Sequence, residues 1–523
     1  MSKRLVVPSF SLCLFACSLW LVSSPLTAQS KAGSLGLFES QSDVGSVTPA
    51  GTAVYDPATG VYTLTSAGTN LWATTDGFHF VWKKMSGDLS LTADIDFPIK
   101  AGDHNPHRKA ILIFRQSLDA DAVYADAALH GAGLTALQSR AAKGAETTGL
   151  ELNITAPRRL RLTKRGDTIS MFLSMTGEPL HPAGASSKLH LDGPFYVGIG
   201  LCSHDPKVVE TATFSHVELK ELAPPAAAAP VVISTLQTIA ATDDTRREIV
   251  YTERGRIEAP NWTKDNLELV FDGNGRMFKI PVQSGTPTEI DTGDATGCTG
   301  SHGLSPDGKL LAITCTTPAY PGRHVFIIPS AGGTPRVVTE HPDSYFHSWS
   351  PDGKTIAFTR PSHGSSNILS IPIEGGTETA LTTGTGISDD PDYSADGSHI
   401  YFNSDRSGSM EIWRMKADGS QPEQITFDGL NSWTPHPSPD GKWIVFVSYG
   451  KGTTGHLANK DVALRILSAT STATATADNK IRVLANFVGG DGSMNVSFWS
   501  PDSKNLAFVS YELIPAEDVD AAK

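Results

Sequence analysis

The sequence predicts an all-β chain in two parts, a β-sandwich followed by a six-bladed β-propeller. Three observations carry this. Gly (48) and Pro (33) are plentiful among 523 residues and punctuate many short apolar runs, the texture of strands joined by turns. In the first half, polar and apolar residues alternate at the period of a half-buried strand. In the second half, one six-residue motif recurs at a near-constant interval, the mark of a repeat architecture.

The chain opens with an expected export signal. Lys3 and Arg4 precede an apolar run from Leu5 to Val22, and Ser23 to Ala28 ends in a small residue. This pattern predicts cleavage after Ala28 and a periplasmic or secreted protein. The alternative is a membrane anchor, against which Pro8 and several Ser residues count. No later stretch has the roughly 18 apolar residues of a membrane span, so no transmembrane segment is expected after cleavage.

Residues 38–222 read as the sandwich. Leu91, Ala93, Ile95 and Phe97 share one face of a strand, while Thr92, Asp94 and Asp96 share the other. Ile111 to Phe114 is continuously apolar and reads as a central strand. Tyr196 to Leu201 and Thr213 to Leu219 close the region. About twelve strands fit this length. The run Asp76 to Trp82, followed by Gly87-Asp88-Leu89, resembles bacterial concanavalin-like jelly-roll domains of lectin and glucanase ancestry.

Ala223 to Pro230 is a Pro- and Ala-rich segment with nothing to anchor a core. Residues 223–231 are expected to be a stiff interdomain linker. Residues 232–512 hold the repeat and residues 513–523 a loose tail. Trp349-Ser350-Pro351-Asp352-Gly353-Lys354 is the clearest copy, and others start at Leu304, Tyr393, Pro437 and Trp499. Trp262-Thr263-Lys264-Asp265-Asn266 is a worn first copy. The repeat aspartates Asp265, Asp307, Asp352, Asp396, Asp440 and Asp502 are spaced by 42, 45, 44, 44 and 62 residues. A period near 44 suits one four-stranded blade, so six copies predict six blades. Pro sets φ early in the turn, Asp bonds nearby backbone N–H groups, and Gly accepts positive φ. The long last interval is assigned to an insertion over residues 451–479, including the Ala/Thr run 469–476, expected to be a mobile loop. This half, over roughly residues 232–512, resembles the propeller of TolB and its extracytoplasmic relatives, whose repeat signature is Trp-Ser-Pro-Asp-Gly-Lys. The resemblance implies fold more than function. TolB has a small α/β domain before its propeller and this chain does not, so a role in the Tol system does not transfer.

The net charge of −13, or −15 without Lys3 and Arg4, disfavours nucleic acid and anionic membranes. Three cysteines lie beyond the signal. Cys298 and Cys315 bracket a tight turn and can face each other across a hairpin. Either a disulfide there or buried thiols fit the sequence.

For chemistry, the first half lacks the paired glutamates of a glycosidase strand. Asp94 and Asp96 read as solvated. Sugar binding suits it better. Trp72, Trp82, Arg115, Tyr124, His130, Gln138 and Arg140 lie on or beside strands, where rings can stack on sugars and polar groups can bond hydroxyls. Core packing of the tryptophans is the competing reading. In the propeller, His302 and His347 precede the motif Ser by three residues and His436 by two, while Asp389, Asp390 and Asp392 precede Ser394. In the resembling propellers this position lies near the channel mouth, and some lyases of that lineage hold a metal there through His. His302, His347, Asp390 and His436 are the channel candidates, either as ligands for a divalent metal or as links between blades. No nucleophile elbow, metalloprotease motif or phosphate loop is present. The sequence thus points to binding rather than catalysis. Expected partners are a carbohydrate or envelope polymer at the sandwich and proteins at the propeller. No cofactor is expected. The alternative is a metal-assisted polysaccharide lyase or hydrolase working in the channel.

Overall fold

A computed structural model describes residues 34–99, 104–283, 285–469 and 481–520. The expected signal (residues 1–28) and the Ala/Thr run from residue 470 onward lie outside the described residues. Residues from Leu35 onward form one unit. Its described residues are all-β apart from one short helix, Ala516–Asp520. No described helix is long and apolar enough to cross a membrane.

The N-terminal region is a two-sheet sandwich of fifteen strands, more than the expected dozen. A seven-stranded sheet runs His181–Lys188, Thr168–Ser174, Arg159–Arg165, Leu89–Asp96, Glu210–Glu221, Val61–Ser66, Thr52–Asp56. The facing sheet includes Thr75–Met85, Phe195–Cys202, Lys109–Arg115, Tyr124–His130, Thr135–Arg140 and Thr148–Glu151. Leu91, Ala93 and Ile95 point into the space between the sheets, with Leu112, Phe114, Ala127 and Val197 opposite. Lys109–Arg115 is buried throughout and lies between two partners, the central strand that its apolar run predicts. Asp94 is not free in solvent. It pairs with Arg159 at 3.0 Å and His216 at 3.0 Å.

The facing sheet does not end at Glu151. Thr148–Glu151 pairs in parallel with Arg246–Arg254, which pairs antiparallel with Val231–Ala240, which pairs in turn with Asn505–Ile514. Eleven strands thus make one continuous sheet. Whatever stiffness the 223–230 segment has, backbone ladders connect the two halves. The tail is also tied down, contrary to the expectation of a loose end: Asp518 accepts two hydrogen bonds from Arg165, at 2.8 and 2.9 Å.

Five four-stranded antiparallel sheets follow, starting with the strands Ile257–Trp262, His302–Leu304, Tyr345–Trp349, Ser388–Tyr393 and Asn431–Pro437. The count differs from six because the last copy feeds Asn505–Ile514, which belongs to the eleven-stranded sheet. The insertion before that copy is partly regular. Lys460–Ser468 is the third strand of the fifth blade.

The repeat motif has one structural job, repeated in every copy. Its Ser or Thr hydroxyl bonds the Asp two residues on, at 2.6–2.7 Å, in all six copies from Thr263–Asp265 to Ser500–Asp502. The glycine position has φ of 69° to 75° at Gly308, Gly353, Gly397 and Gly441. The worn copies put Asn266 and Ser503 into the same left-handed conformation, at 64° and 60°, where glycine is the least strained residue. The motif tryptophans pin neighbouring copies together. Trp349 Nε1 donates to Gly303 O at 2.9 Å, Trp499 to His436 O at 3.0 Å and Trp262 to Phe498 O at 3.0 Å.

Candidate functional site

In the sandwich, strand alternation sets Arg115, Tyr124, Asp126, His130, Gln138 and Arg140 on the face opposite the inter-sheet core, as cross-strand register shows: Arg115 is opposite Tyr124, Tyr124 opposite Arg140, and Asp126 opposite Gln138. They do not form an open platform. Arg115 and Arg140 are fully buried and share Asp76, at 3.0 and 2.8 Å. Tyr124 is sandwiched near both guanidinium groups and bonds Thr147. Lys109 donates to Leu71 O at 2.7 Å, Asn70 at 3.0 Å and Gln138 at 3.3 Å. Trp72 lies over Gly149 and between Lys109 and Arg246. Trp82 is half-buried at the other end, bonded to Ser42 and edge-on to Tyr196. Burial pushes the Asp126 carboxyl up to about 8 and the His130 imidazole down to about 3. Arg115, Arg140 and Lys109 are committed to Asp76, Gln138 and nearby backbone, whereas the Asp126 carboxylate and both ring nitrogens of His130 are buried with no hydrogen-bond partner. Asp76, the shared counter-ion, was not distinguishable in sequence from any turn aspartate.

In the propeller, the first strand of four blades carries a bulge: the register shifts between Glu258 and Asn261, Phe346 and Ser348, Asp389 and Asp392, and Trp433 and His436. Ala259, Asp390 and Thr434 sit there at φ of 51° to 54°. A bulge redirects the side chains around it, and here it separates the histidines by role. His436 links blades. Its Nδ1 lies 2.8 Å from Asp392 and its Nε2 3.2 Å from Met494 O. His302 is buried among backbone groups of Thr299, Val270 and Ala259, and burial holds it down at about 4. Neither joins a shared site with His347.

His347 is different. Its Nε2 is 2.9 Å from Thr359 Oγ1 and 3.5 Å from Asp389, and its Nδ1 is 3.4 Å from Asp390. Backbone at Asn495, near the sixth copy, reaches this third-blade histidine, so the cluster lies where the blades converge. Burial holds His347 at about 4, uncharged near neutrality, and drives Asp390 well above the ordinary carboxyl range. His347 Nδ1 and Asp390 Oδ2 are buried with no hydrogen-bond partner. Around them, His456 stacks on Trp433 with centroids 4.8 Å apart and lies 4.0 Å from Asp491. Tyr449 OH donates to Leu457 O at 2.6 Å, fixing the loop that carries His456. Asp491 also acts electrostatically on Glu258, itself raised by burial and paired with Arg256 at 3.2 Å. Among the described residues, His347, Asp389 and Asp390 are the group whose donor atoms lie close enough to share a cation, within 4.8 Å of one another. The sequence placed Asp389 near the site but not in it, because a bulge cannot be read from spacing.

A family model described as the TolB beta propeller domain matches residues 324–485. An uncharacterized protein of Agrobacterium fabrum is 39% identical over 267 residues, covering 51% of this chain and 88% of its own length. The chain belongs to the TolB-like β-propeller family. A solved structure from Agrobacterium tumefaciens, provisionally assigned as TolB, is 37% identical, with a TM-score of 0.50 over 54% of this chain and 99% of that one. In this TolB-like chain the propeller is preceded by the β-sandwich described above.

Proposed function

We propose that this is an exported binding protein whose ligand site is the mouth of the propeller channel. The observation that carries it is the buried pair His347 and Asp390, each with an unbonded polar atom where the blades converge. A buried polar group without a partner costs about 1–3 kcal/mol, so a ligand supplying that partner gains on binding. The aromatic wall of Trp433 and His456 and the partly exposed Asp389 and Asp491 supply shape and hydrogen-bond acceptors. A carbohydrate or a segment of an envelope protein offers the complementary hydroxyl or amine groups. The sandwich, which we take as a concanavalin-like jelly roll over residues 38–222, supports the propeller through the shared sheet. Its buried Arg115, Arg140 and Lys109 are already paired, through Asp76 and Gln138. Trp499, Asn505–Ile514, Val231–Ala240 and Arg246–Arg254 are read as a sixth blade completed by strands from the start of residues 232–512. This reading is supported by the bridge between Trp499 and Leu506 and by the Trp262–Phe498 bond.

Thermal unfolding with panels of envelope oligosaccharides and peptides tests the reading, since a ligand of the folded state raises Tm by mass action. A shift in the parent protein that is lost in Asp491→Asn supports it. A shift that survives in Asp491→Asn moves the site away from the mouth, and no shift with any ligand favours a purely structural envelope role.

A further inference from the structure

We infer that the sandwich carries a second site, apart from the channel mouth, that takes a tetrahedral oxyanion such as a phosphate or sulfate group between His107, His130 and His204. Cross-strand register sets His130 opposite Lys109. Cys202 lies opposite Lys109 on its other side, and His204 follows in the turn beyond. His107 comes from the loop that leads into Lys109. The three rings meet there, with His107 at 5.8 Å from His130 and 5.6 Å from His204, centroid to centroid. Two independent observations point to a ligand. The first is unmet hydrogen bonding. His130 is 5% exposed, and neither of its ring nitrogens has a partner, whereas buried polar groups are nearly always bonded. The second is charge. Lys109 is buried, yet its ammonium donates only to the neutral acceptors Leu71 O, Asn70 and Gln138. Arg246, from the strand that extends the sheet, acts on His130 through its charge and stands over the Trp72 ring. Among the described residues neither cation has an ion-pair partner, so the charge around His130 calls for an anion.

The arrangement selects the ligand. Among the described residues, these three histidines do not bring their nitrogens within 4.8 Å of one another, so they do not share a metal ion. Donors about 2.8 Å from different oxygens of one tetrahedral anion stand roughly 4–6 Å apart, which matches the spacing of the rings. The donors arrive from a strand, a loop and a turn, so an anion with oxygens on every side fits them better than a planar carboxylate. Without a ligand, burial and the charges of Lys109, His107, His204 and Arg246 hold His130 down at about 3, and burial lowers His204. An oxyanion reverses that field. Binding then draws a proton onto the histidines, and affinity rises as pH falls. Glu151, raised by burial and lying near Arg246, Glu248 and His107, works in the same direction as it takes up a proton. Asp126, beside Lys109, keeps its proton up to about 8, and the Cys202 thiol up to about 11.

The test titrates the full chain by calorimetry with sulfate, phosphate and acetate in a zwitterionic buffer at constant chloride. Sulfate keeps its charge from pH 5.5 to 7.5, so its pH dependence reports the protein. One equivalent of sulfate should bind, more tightly at pH 5.5 than at pH 7.5. His107 and Arg246 are exposed, so His107→Ala and Arg246→Gln are the variants least prone to misfold. Each should weaken binding by roughly tenfold or more, the worth of one hydrogen bond to a charged group, and so should His130→Gln. Circular dichroism and Tm show which variants are folded, and the two exposed positions decide the matter if His130→Gln is not. No stoichiometric binding by the parent protein overturns the inference, as does binding unchanged in folded His107→Ala and Arg246→Gln. Acetate binding as tightly as sulfate overturns the tetrahedral assignment. Glucose 6-phosphate binding more tightly than inorganic phosphate supports the site as one for an esterified anion, and the reverse order supports it as one for the free ion. Asp491→Asn, at the channel mouth, should leave sulfate binding unchanged, so this site and the channel reading stand or fall separately.

Discussion

Trp262 Nε1 donates to the carbonyl oxygen of Phe498 across a 3.0 Å contact, tying the first repeat copy to the last. The same bond joins Trp349 to Gly303 and Trp499 to His436. Trp262 is the copy whose loss opens the ring, because its partner comes from the far end of the chain. Trp262→Phe keeps most of the buried ring and deletes the donor. The Phe498 carbonyl keeps its bond from Ala507 N at 3.0 Å, so losing the tryptophan's bond alone should lower stability by about 0.5–1.5 kcal/mol in urea denaturation. An unchanged midpoint would show that the bond does not close the propeller.

The Cys298–Cys315 disulfide, one of the two states the sequence left open, spans 17 residues of the second blade. A loop of that size constrains the unfolded chain by about 3 kcal/mol in the chain-entropy picture. A Cys298→Ser, Cys315→Ser double variant should lose stability of that order. Reductant should destabilise the parent protein and leave the double variant unmoved. Cys202 is buried, with its thiol pushed up to about 11, and should resist alkylation in the folded protein.

Asp126 should give the sandwich a distinctive pH response. Burial raises its folded carboxyl to about 8, with Lys109 opposing and Asp76 adding to the shift, against about 3.9 in the unfolded chain. Between these values the folded form holds a proton that the unfolded form has released. Its contribution is therefore most favourable below about pH 4 and declines as pH rises toward 8, by at most about 1.4 kcal/mol per unit. Asp126→Asn should remove this slope. Stability curves of the two proteins that stay parallel from pH 5 to 8 would contradict it.

The repeat was legible because its chemistry is local. Ser, Pro, Asp and Gly build a turn whose bonds span two to five residues, so spacing alone located each copy. The alternation in Leu89–Asp96 and the apolar run in Lys109–Arg115 were readable for the same reason. The shared sheet was not, because Gly149–Glu151 and Arg246–Glu248 pair across nearly a hundred residues with no sequence mark. The sixth copy's partners were hidden likewise, since Val231–Ala240 carries no motif. At the site, histidine spacing suggested that His302, His347 and His436 share a role, and bulges at Asp390 and Thr434 separate them. The sequence puts the sandwich candidates on or beside strands, but Asp76, the residue that pairs with both Arg115 and Arg140, looks in sequence like an ordinary turn residue.

The joint between the halves gives the last prediction. Gly184, in the sandwich strand His181–Lys188, has φ +72°, and its carbonyl accepts from Thr235 Oγ1 at 2.8 Å. A Cβ there would meet Thr252 Oγ1 at 2.4 Å and Thr235 Oγ1 at 2.6 Å. Both threonines lie on strands of the eleven-stranded sheet beyond its sandwich part, so Gly184→Ala would press on the joint itself. Two costs add: about 1–2 kcal/mol for a left-handed non-glycine residue and about 1–3 kcal/mol for overpacking. Gly177 isolates the first, since its φ is +84° and nothing lies within 4 Å of its would-be Cβ. Gly184→Ala should therefore destabilise clearly more than Gly177→Ala. It should also split a single denaturation transition into two, as the sandwich and propeller lose their common ladder. Equal effects of the two substitutions would mean that the halves fold independently despite the shared sheet.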